Sequence, residues 1–327
     1  MVRFGILGAG NIANRFAVSL GHERHATLVA ASCRSRQKAV EFLSKVPCDA
    51  DARAYGSYDD MLDDNNVDAI YLALPHSLHK EWACKALRAG KAVLCEKPAS
   101  LSAHEMCEIA KTAHDTQTLF MEAMKPRFVP LYEQVIAALP KIGTVTRIET
   151  TLCNDMLGMV EGSNTYHMTP GPGAGVLLDC GIYCASWIAQ LCPGELKLTS
   201  IEGVAKNGID IYANAWFDHD AIQVQLECAF DRAKPRTCTI VGECGTIVVE
   251  ELHRPQRATI RSNDGELVLD VPYHVDDFFG ELHHFVELIE QGVPESNLMT
   301  LNDSIRCAQI IDDIREGFTT APNVERL

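Results

Sequence analysis

The sequence predicts an α/β domain with a parallel sheet, followed by an α+β domain with a mainly antiparallel sheet. Three observations support this. The chain has 327 residues, about twice the roughly 150 of a typical single domain. Up to about residue 122, short apolar runs alternate with helix-like stretches, the pattern of buried parallel strands joined by crossover helices. After about residue 143, hairpin signals replace that alternation. The predicted domains are 1–122 and 123–327.

In the first half the strand candidates are Phe4–Leu7, Leu28–Ala31, Ala69–Leu74, Ala92–Leu94 and Leu119–Met121. Leu78–Ala89 and Ala103–Ala113 read as helices between them, with Ser102 and Glu105 spaced as a capping box for the second. In the second half Asn207-Gly208 and Asp264-Gly265 mark tight hairpins. Asp218-His219-Asp220 joins the runs Ile211–Phe217 and Ile222–Cys228, and further runs follow at Thr237–Val241 and Thr246–Val249. Helices are expected at Gly175–Leu191, Phe279–Glu290 and Leu301–Glu316.

Composition narrows the function classes. With 47% hydrophobic and 22% charged residues, the chain is an ordinary globular one rather than disordered or repetitive. Lys and Arg number 29 against 44 Asp and Glu, a net charge of −15, which disfavours nucleic-acid partners and anionic membrane surfaces. The acid is unevenly spread: residues 1–122 hold 14 basic and 15 acidic side chains, whereas 123–327 hold 15 and 29. None of the 13 cysteines forms a Cys-x-x-Cys pair, so no metal site is expected and the thiols read as reduced, buried apolar groups. With no basic n-region or separate apolar h-region before Phe4-Gly5-Ile6-Leu7, a secretory signal is not expected. The longest apolar candidate, Val176 to Leu191, is broken by Asp179, Ser186 and Gln190 and falls short of a membrane span of ~20 residues. A soluble cytoplasmic protein is the expectation.

The first functional signal is Gly8-Ala9-Gly10-Asn11-Ile12-Ala13, directly after the first strand. In that position Gly-x-Gly-x-x-Ala is a dinucleotide fingerprint. Gly8 makes the tight turn, Gly10 lets a pyrophosphate reach the backbone, and Ala13 keeps the helix close to the sheet. The helix amides from Asn11 and Ile12 onward then face the anion. The end of the second strand selects the cofactor. NAD sites place an acid there for the ribose 2′-hydroxyl, but this chain reads Ala31-Ser32-Cys33-Arg34-Ser35-Arg36. Ser32, Arg34 and Arg36 suit a 2′-phosphate, so NADP is predicted.

Two further segments carry a family resemblance. Ala73-Leu74-Pro75-His76-Ser77-Leu78-His79 and Ala89-Gly90-Lys91-Ala92-Val93-Leu94-Cys95-Glu96-Lys97-Pro98, together with Gly175-Val176-Leu177-Leu178-Asp179-Cys180-Gly181-Ile182-Tyr183, resemble the Gfo/Idh/MocA family of glucose–fructose oxidoreductase, inositol dehydrogenase and rhizopine catabolism. The resemblance implies a Rossmann domain followed by a domain with an open-faced, mainly antiparallel sheet. It also implies a catalytic set of Lys97, Asp179 and Tyr183. Oxidising an alcohol needs a hydride acceptor and a base for the hydroxyl proton. A tyrosine becomes a usable base near neutrality when a cation stabilises its phenolate. By resemblance Tyr183 moves the proton, Lys97 is its electrostatic partner and Asp179 the orienter, with Lys97 as the alternative acid. Asp179 and Tyr183, four apart, share one face of a helix. Pro75, His76, His79 and Glu96 are expected to border the cofactor.

For the substrate, the stretch Asn154 to Gly175 contains no Lys or Arg, which favours a neutral sugar, polyol or cyclic diol over a phosphorylated one. Arg127, Asn164 and His167 are the candidate contacts. The rival reading, a non-catalytic dinucleotide-binding regulator, is disfavoured because both Lys97 and Tyr183 are retained. An open-faced sheet leaves one apolar face needing cover, which Ile211–Phe217 and Ile222–Cys228 are expected to supply, so a homodimer or homotetramer is expected.

Overall fold

In the computed structural model, which describes residues 1–157, 168–320 and 324–326, every apolar run of the first half becomes a strand. The order is β1 (Val2–Leu7), α1 (Asn11–Leu20), β2 (Ala26–Ser32), α2 (Arg36–Leu43), β3 (Arg53–Tyr55), α3 (Tyr58–Leu62), β4 (Ala69–Leu72), α4 (His79–Arg88), β5 (Ala92–Glu96), α5 (Ala103–Thr116) and β6 (Phe120–Ala123). All six strands pair in parallel, in the order β3-β2-β1-β4-β5-β6. The strand order reverses between β1 and β4, and ligands bind at the carboxyl ends of strands beside such a switch.

The second half contributes α6 (Pro130–Ala138), β7 (Val145–Cys153), and a π-helical turn (Leu177–Gly181) that runs into α7 (Ile182–Leu191). Two meanders follow, the first of β8 (Lys197–Lys206), β9 (Ile209–His219) and β10 (Ile222–Ala229), the second of β11 (Thr237–Gly242), β12 (Gly245–Glu250), β13 (Arg257–Ser262) and β14 (Gly265–Asp270). The remaining elements are α8 (Phe279–Gln291), α9 (Leu301–Thr320) and β15 (Val324–Arg326). Nine strands form one sheet, β14-β13-β12-β11-β7-β10-β9-β8-β15. Among the described residues, only β7 with β10 and β15 with β8 pair in parallel in this sheet. Asn207 and Gly208 take φ of 53° and 79°, the left-handed pair that a two-residue hairpin turn requires.

The alternation in β9 and β10 decides which face is buried. Ala213, Ala215, Phe217, Val224 and Leu226 are fully enclosed, whereas Asn214, Trp216, Gln223 and Gln225 stay partly or wholly exposed. The open face of the sheet is therefore polar around one tryptophan. The expectation that Ile211–Phe217 and Ile222–Cys228 would present an uncovered apolar face is corrected, because strand periodicity turns those apolar residues inward.

The chain divides into two units, and the line differs from the expected 122/123 boundary. The first unit comprises residues 1–100, 104–128 and 274–304; the second comprises 101–103, 129–273 and 305–327. Helix α8 belongs to the first because its apolar face completes that core. Phe278, Leu282, Phe285 and Val286 are buried with Phe4, Phe16 and Leu28, and the Phe4 ring lies 5.7 Å from Phe16 and 6.0 Å from Phe285. Gly280 is required there, since a Cβ would strike the Phe128 carbonyl. In the second unit Trp187 is buried and its indole donates to the Leu252 carbonyl at 2.9 Å. All 13 cysteines are free thiols. Among the described residues, no helix is long and apolar enough to cross a membrane.

Because Phe285 is fully buried between elements far apart in sequence, Phe285→Ala is expected to cost about 3–5 kcal/mol. A lowered urea midpoint for the unfolding of the first unit checks it, and an unchanged midpoint would refute this account of α8.

Candidate active site

The fingerprint loop forms where β1 meets α1. Gly8 adopts φ +96°, and a Cβ there would stand 2.5 Å from the Ala73 carbonyl oxygen, so this turn admits only glycine. At Gly10 the space beyond the backbone is open: a Cβ would meet nothing within 4 Å. Helix α1 begins at Asn11 without a side-chain cap and with no acid in its first turn. Its orphan N–H groups, including those of Asn11 and Ile12, and its positive dipole end thus remain available to an anion. Ala13 is fully buried, as close helix–sheet packing demands. This cradle fits a dinucleotide pyrophosphate.

At the end of β2, Arg34 and Arg36 are exposed, and Arg36 donates through Nε to the Ala54 carbonyl at 3.2 Å. Lys38 stands exposed nearby, a third cation that the sequence reading did not single out. Ser32 differs from expectation: it is fully buried and its hydroxyl donates to the Ser57 carbonyl at 2.9 Å. Its donor is used within the fold, which leaves Arg34 and Arg36 as the candidates for a 2′-phosphate.

Lys97 follows β5 on a cis Lys97–Pro98 bond, and the backbone around it is held from three directions. Its own N–H donates to Glu96 Oε2 at 3.2 Å. The Pro98 carbonyl lies 2.8 Å from His79 Nδ1, whose other ring nitrogen lies 2.7 Å from the Leu74 carbonyl. The Ala99 N–H donates to Glu122 Oε1 at 2.9 Å. Glu96, His79 and Glu122 are all buried. Burial lowers the His79 pKa against the pull of the two carbonyls and raises those of Glu96 and Glu122. Glu96 also accepts from the Tyr71 hydroxyl. Glu96 and His79, expected beside the cofactor, thus have side chains that hold backbone. Pro75 is exposed at the loop after β4, and His76 is buried with its ring 5.7 Å from that of His79. Sequence reasoning missed Glu122; its one signal was an acid within an otherwise apolar strand.

A buried charge cluster lies in the same unit. Lys125 donates to Asp277 at 2.6 Å and Arg15 to its other oxygen at 2.5 Å. Burial pushes Asp277 up, but these cations hold it below the ordinary carboxylate range. Neither carboxylate oxygen of the buried Glu281 has a hydrogen-bond partner. Burial, reinforced by the charge of Glu96, raises its pKa well above normal. Arg127 is also enclosed here, paired with Asp303 at 3.3 Å and donating to the Leu298 carbonyl. This corrects its assignment as a substrate contact.

In the second unit Asp179 sits in the π-helical turn, partly exposed, and Tyr183 lies at the second position of α7, 8% exposed. A plain helix from Gly175 was expected; the wider turn at its start is the difference, and such turns recur at functional sites. The Tyr183 ring meets that of His253 edge-on at 5.8 Å, a neighbour the sequence did not indicate. Asn154 accepts from Arg236 at 3.2 Å, but that guanidinium is already paired with Glu251 at 2.9 Å. Asn164 and His167 lie outside the described residues. Among the described residues, no group of three or more His, Cys, Asp or Glu is arranged to hold a metal.

Residues 2–124 match the oxidoreductase family with an NAD-binding Rossmann fold, and residues 136–248 match the GFO/IDH/MocA C-terminal domain. The chain belongs to the Gfo/Idh/MocA oxidoreductase family. It is similar to the scyllo-inositol 2-dehydrogenase (NADP(+)) of Bacillus subtilis, with 32% identity over 97% of each chain. It is also similar to the D-xylose 1-dehydrogenase (NADP(+)) of Hypocrea jecorina, with 34% identity over 99% of this chain and 94% of the relative. A 3-ketoreductase from Actinomadura kijaniata shares the fold: its crystal structure with NADP and TDP-benzene aligns over 100% of this chain and 98% of that one, at a TM-score of 0.86 and 24% identity.

Glu281 makes stability depend on pH. Its pKa is higher folded than unfolded, so the folded chain binds the extra proton. That contribution is complete below the ordinary carboxyl range and is lost as pH rises through the folded pKa. Glu281→Gln, which cannot ionise, should therefore gain stability relative to the native chain as pH rises from 5 to 9. Urea midpoints across that range test this, and a constant difference would refute it.

Proposed function

We propose that the protein is a cytoplasmic NADP-dependent dehydrogenase acting on a hydroxyl-bearing carbon of a neutral sugar, polyol or cyclic diol. The observation that carries this reading is the end-to-end likeness to two NADP-dependent dehydrogenases of hydroxylated substrates in a chain that retains Lys97, Asp179 and Tyr183. The end of β2 supports NADP, since it presents Arg34 and Arg36 and no acid. Guanidinium groups give the charge-assisted, forked contacts that a 2′-phosphate rewards. Thirteen free thiols suit a reducing compartment.

When bound, the nicotinamide supplies the hydride acceptor or donor. The chain supplies everything else. The Gly8–Gly10 cradle and the α1 amides hold the pyrophosphate, and Arg34 and Arg36 hold the 2′-phosphate. Tyr183 exchanges the hydroxyl proton through its phenol oxygen, Asp179 orients the reacting group, and Lys97 places its ammonium against the charge that develops on oxygen. The buried anchors of residues 97–99 fix the backbone from which that ammonium projects, which supports the preorganisation that electrostatic catalysis needs.

The test is a panel of scyllo-inositol, D-xylose, other neutral aldoses and cyclic diols with NADP and NAD in parallel. Turnover is expected with NADP; rapid NAD turnover with no NADP reaction would overturn the reading of the arginines. Tyr183→Phe and Lys97→Met should each reduce kcat by about 10²–10⁴-fold, as loss of a proton-transfer group does, while NADPH binding persists. Full activity in both would sink the mechanism.

We assign the open sheet face to a second copy of the chain. Thr199, Ser200, Trp216, Asp218 and Gln223 surround a shallow depression of about 400 Å³ there, and interfaces favour an aromatic anchor within a polar rim. Trp216→Glu should shift a dimer or tetramer toward monomer in sedimentation velocity. An unchanged oligomer, or a native chain that sediments as monomer, would exclude this face.

A further inference from the structure

The helix that carries Asp179 and Tyr183 does not cap itself. The π-helical turn begins at Leu177, its flanking residue Val176 supplies no side-chain cap, and the first N–H groups of any helix lack partners within it. The acceptor comes from the sheet instead. Asp210, the second residue of β9, receives the Leu177 N–H on Oδ2 at 2.7 Å. An aspartate is a poor choice for a strand on propensity, and this one is placed where the chain wraps it. Gly175 takes φ +108°, and a Cβ there would collide with the Asp210 carboxylate. Residues 175–177 thus fold around one carboxylate of another element.

The consequence reaches the reactive side chains. In an α-helix of 3.6 residues per turn, residues four apart are offset by about 40° around the axis. The wider π turn between Leu177 and Gly181 reduces that offset and brings Asp179 and Tyr183 closer to one line. Where the turn starts fixes the direction in which both project, and that start is the amide held by Asp210. Against the same turn, Cys228 on β10 and Ile311 on α9 would lie 3.4 Å from a Cβ at Gly181, so the turn is seated on its far side as well.

We propose that Asp210 is a positioning residue for the proton-transfer pair, acting through the Leu177 amide to set the π turn and thereby the pose of Asp179 and Tyr183. This rests on the reading of those two as catalytic. Burial raises the Asp210 pKa to about 6, with the Leu177 amide and the charge of Arg315 on α9 pulling it back. A carboxylate held at that cost is consistent with a task beyond packing.

The test compares Asp210→Ala, Asp210→Asn and Asp210→Thr with Tyr183→Phe, using scyllo-inositol or D-xylose with NADP. Asp210→Ala is expected to lower kcat by about 10²-fold, the penalty for roughly 1 Å of misplacement. KM and the NADPH Kd should stay within about threefold, so that the loss is expressed only once substrate is bound. Asp210→Asn keeps an oxygen for the Leu177 N–H and should recover most of the rate. If Asp210→Ala does not fold, Asp210→Thr replaces it, because threonine suits a strand. Hydrogen exchange at the Leu177 amide gives a readout that needs no substrate: faster in the Ala or Thr variant, near native in Asn. A folded Ala or Thr variant with native kcat and native Leu177 exchange overturns the proposal, as does an Asn variant no better than Ala. If Tyr183→Phe keeps full activity, the catalytic reading fails instead. Leu177 exchange then decides alone whether Asp210 holds the turn.

Discussion

Three buried side chains hold the backbone of residues 97–99, the segment that carries the candidate catalytic Lys97. Glu96, His79 and Glu122 engage the Lys97 amide, the Pro98 carbonyl and the Ala99 amide. These peptide groups lie beyond the end of β5, where no neighbouring strand can complete their hydrogen bonds. Left unmade in a buried setting, each would cost about 1–3 kcal/mol. Side chains therefore replace the sheet, and the segment is as fixed as a strand while remaining outside the ladder. A flexible loop would carry the same lysine without fixing its position.

The same device recurs in the second unit. Asp210 holds the Leu177 amide much as Glu122 holds that of Ala99. In each case a carboxylate on one element takes an amide two residues from a candidate catalytic residue. Burial raises the pKa of both, and the amide that each accepts pulls it partly back. Glu281 marks the limit of this strategy. With no hydrogen-bond partner among the described residues and the charge of Glu96 nearby, its pKa is pushed well above the ordinary carboxyl range, while Asp277 is paired with both Arg15 and Lys125.

The first unit was largely legible in the sequence because its signals are local. An apolar run of Phe4–Leu7 followed by Gly8-Ala9-Gly10 can hardly be other than a strand entering a phosphate-binding turn. The hairpins at Asn207-Gly208 and Asp264-Gly265 were legible for the same reason. Non-local pairings were not. The placement of β7 beside β10, the addition of α8 to the first core, and the burial of Arg127 against Asp303 each join residues with no shared periodicity. The reach of Glu122 and Asp210 to distant amides was equally hidden, since an isolated acid in a strand reads only as a propensity defect. Ser32 shows the converse: a residue type that suits phosphate, at the right place, whose hydroxyl the fold spends on Ser57.

Charge at a binding site is a local property, and this chain separates the two scales. Its net charge of −15 would repel a dinucleotide if long-range repulsion governed binding. At physiological ionic strength, however, charges more than about 8 Å apart are largely screened. What an incoming phosphate meets is the uncapped start of α1 with no acid in its first turn and the exposed arginines after β2. The acidity sits mainly beyond residue 122, where 29 acids outnumber 15 bases. A neutral hydroxylated substrate is indifferent to such a field, whereas a phosphorylated one would need a cation close at hand. Arg236, whose guanidinium reaches Asn154, is already paired with Glu251, in keeping with the proposal of a neutral substrate.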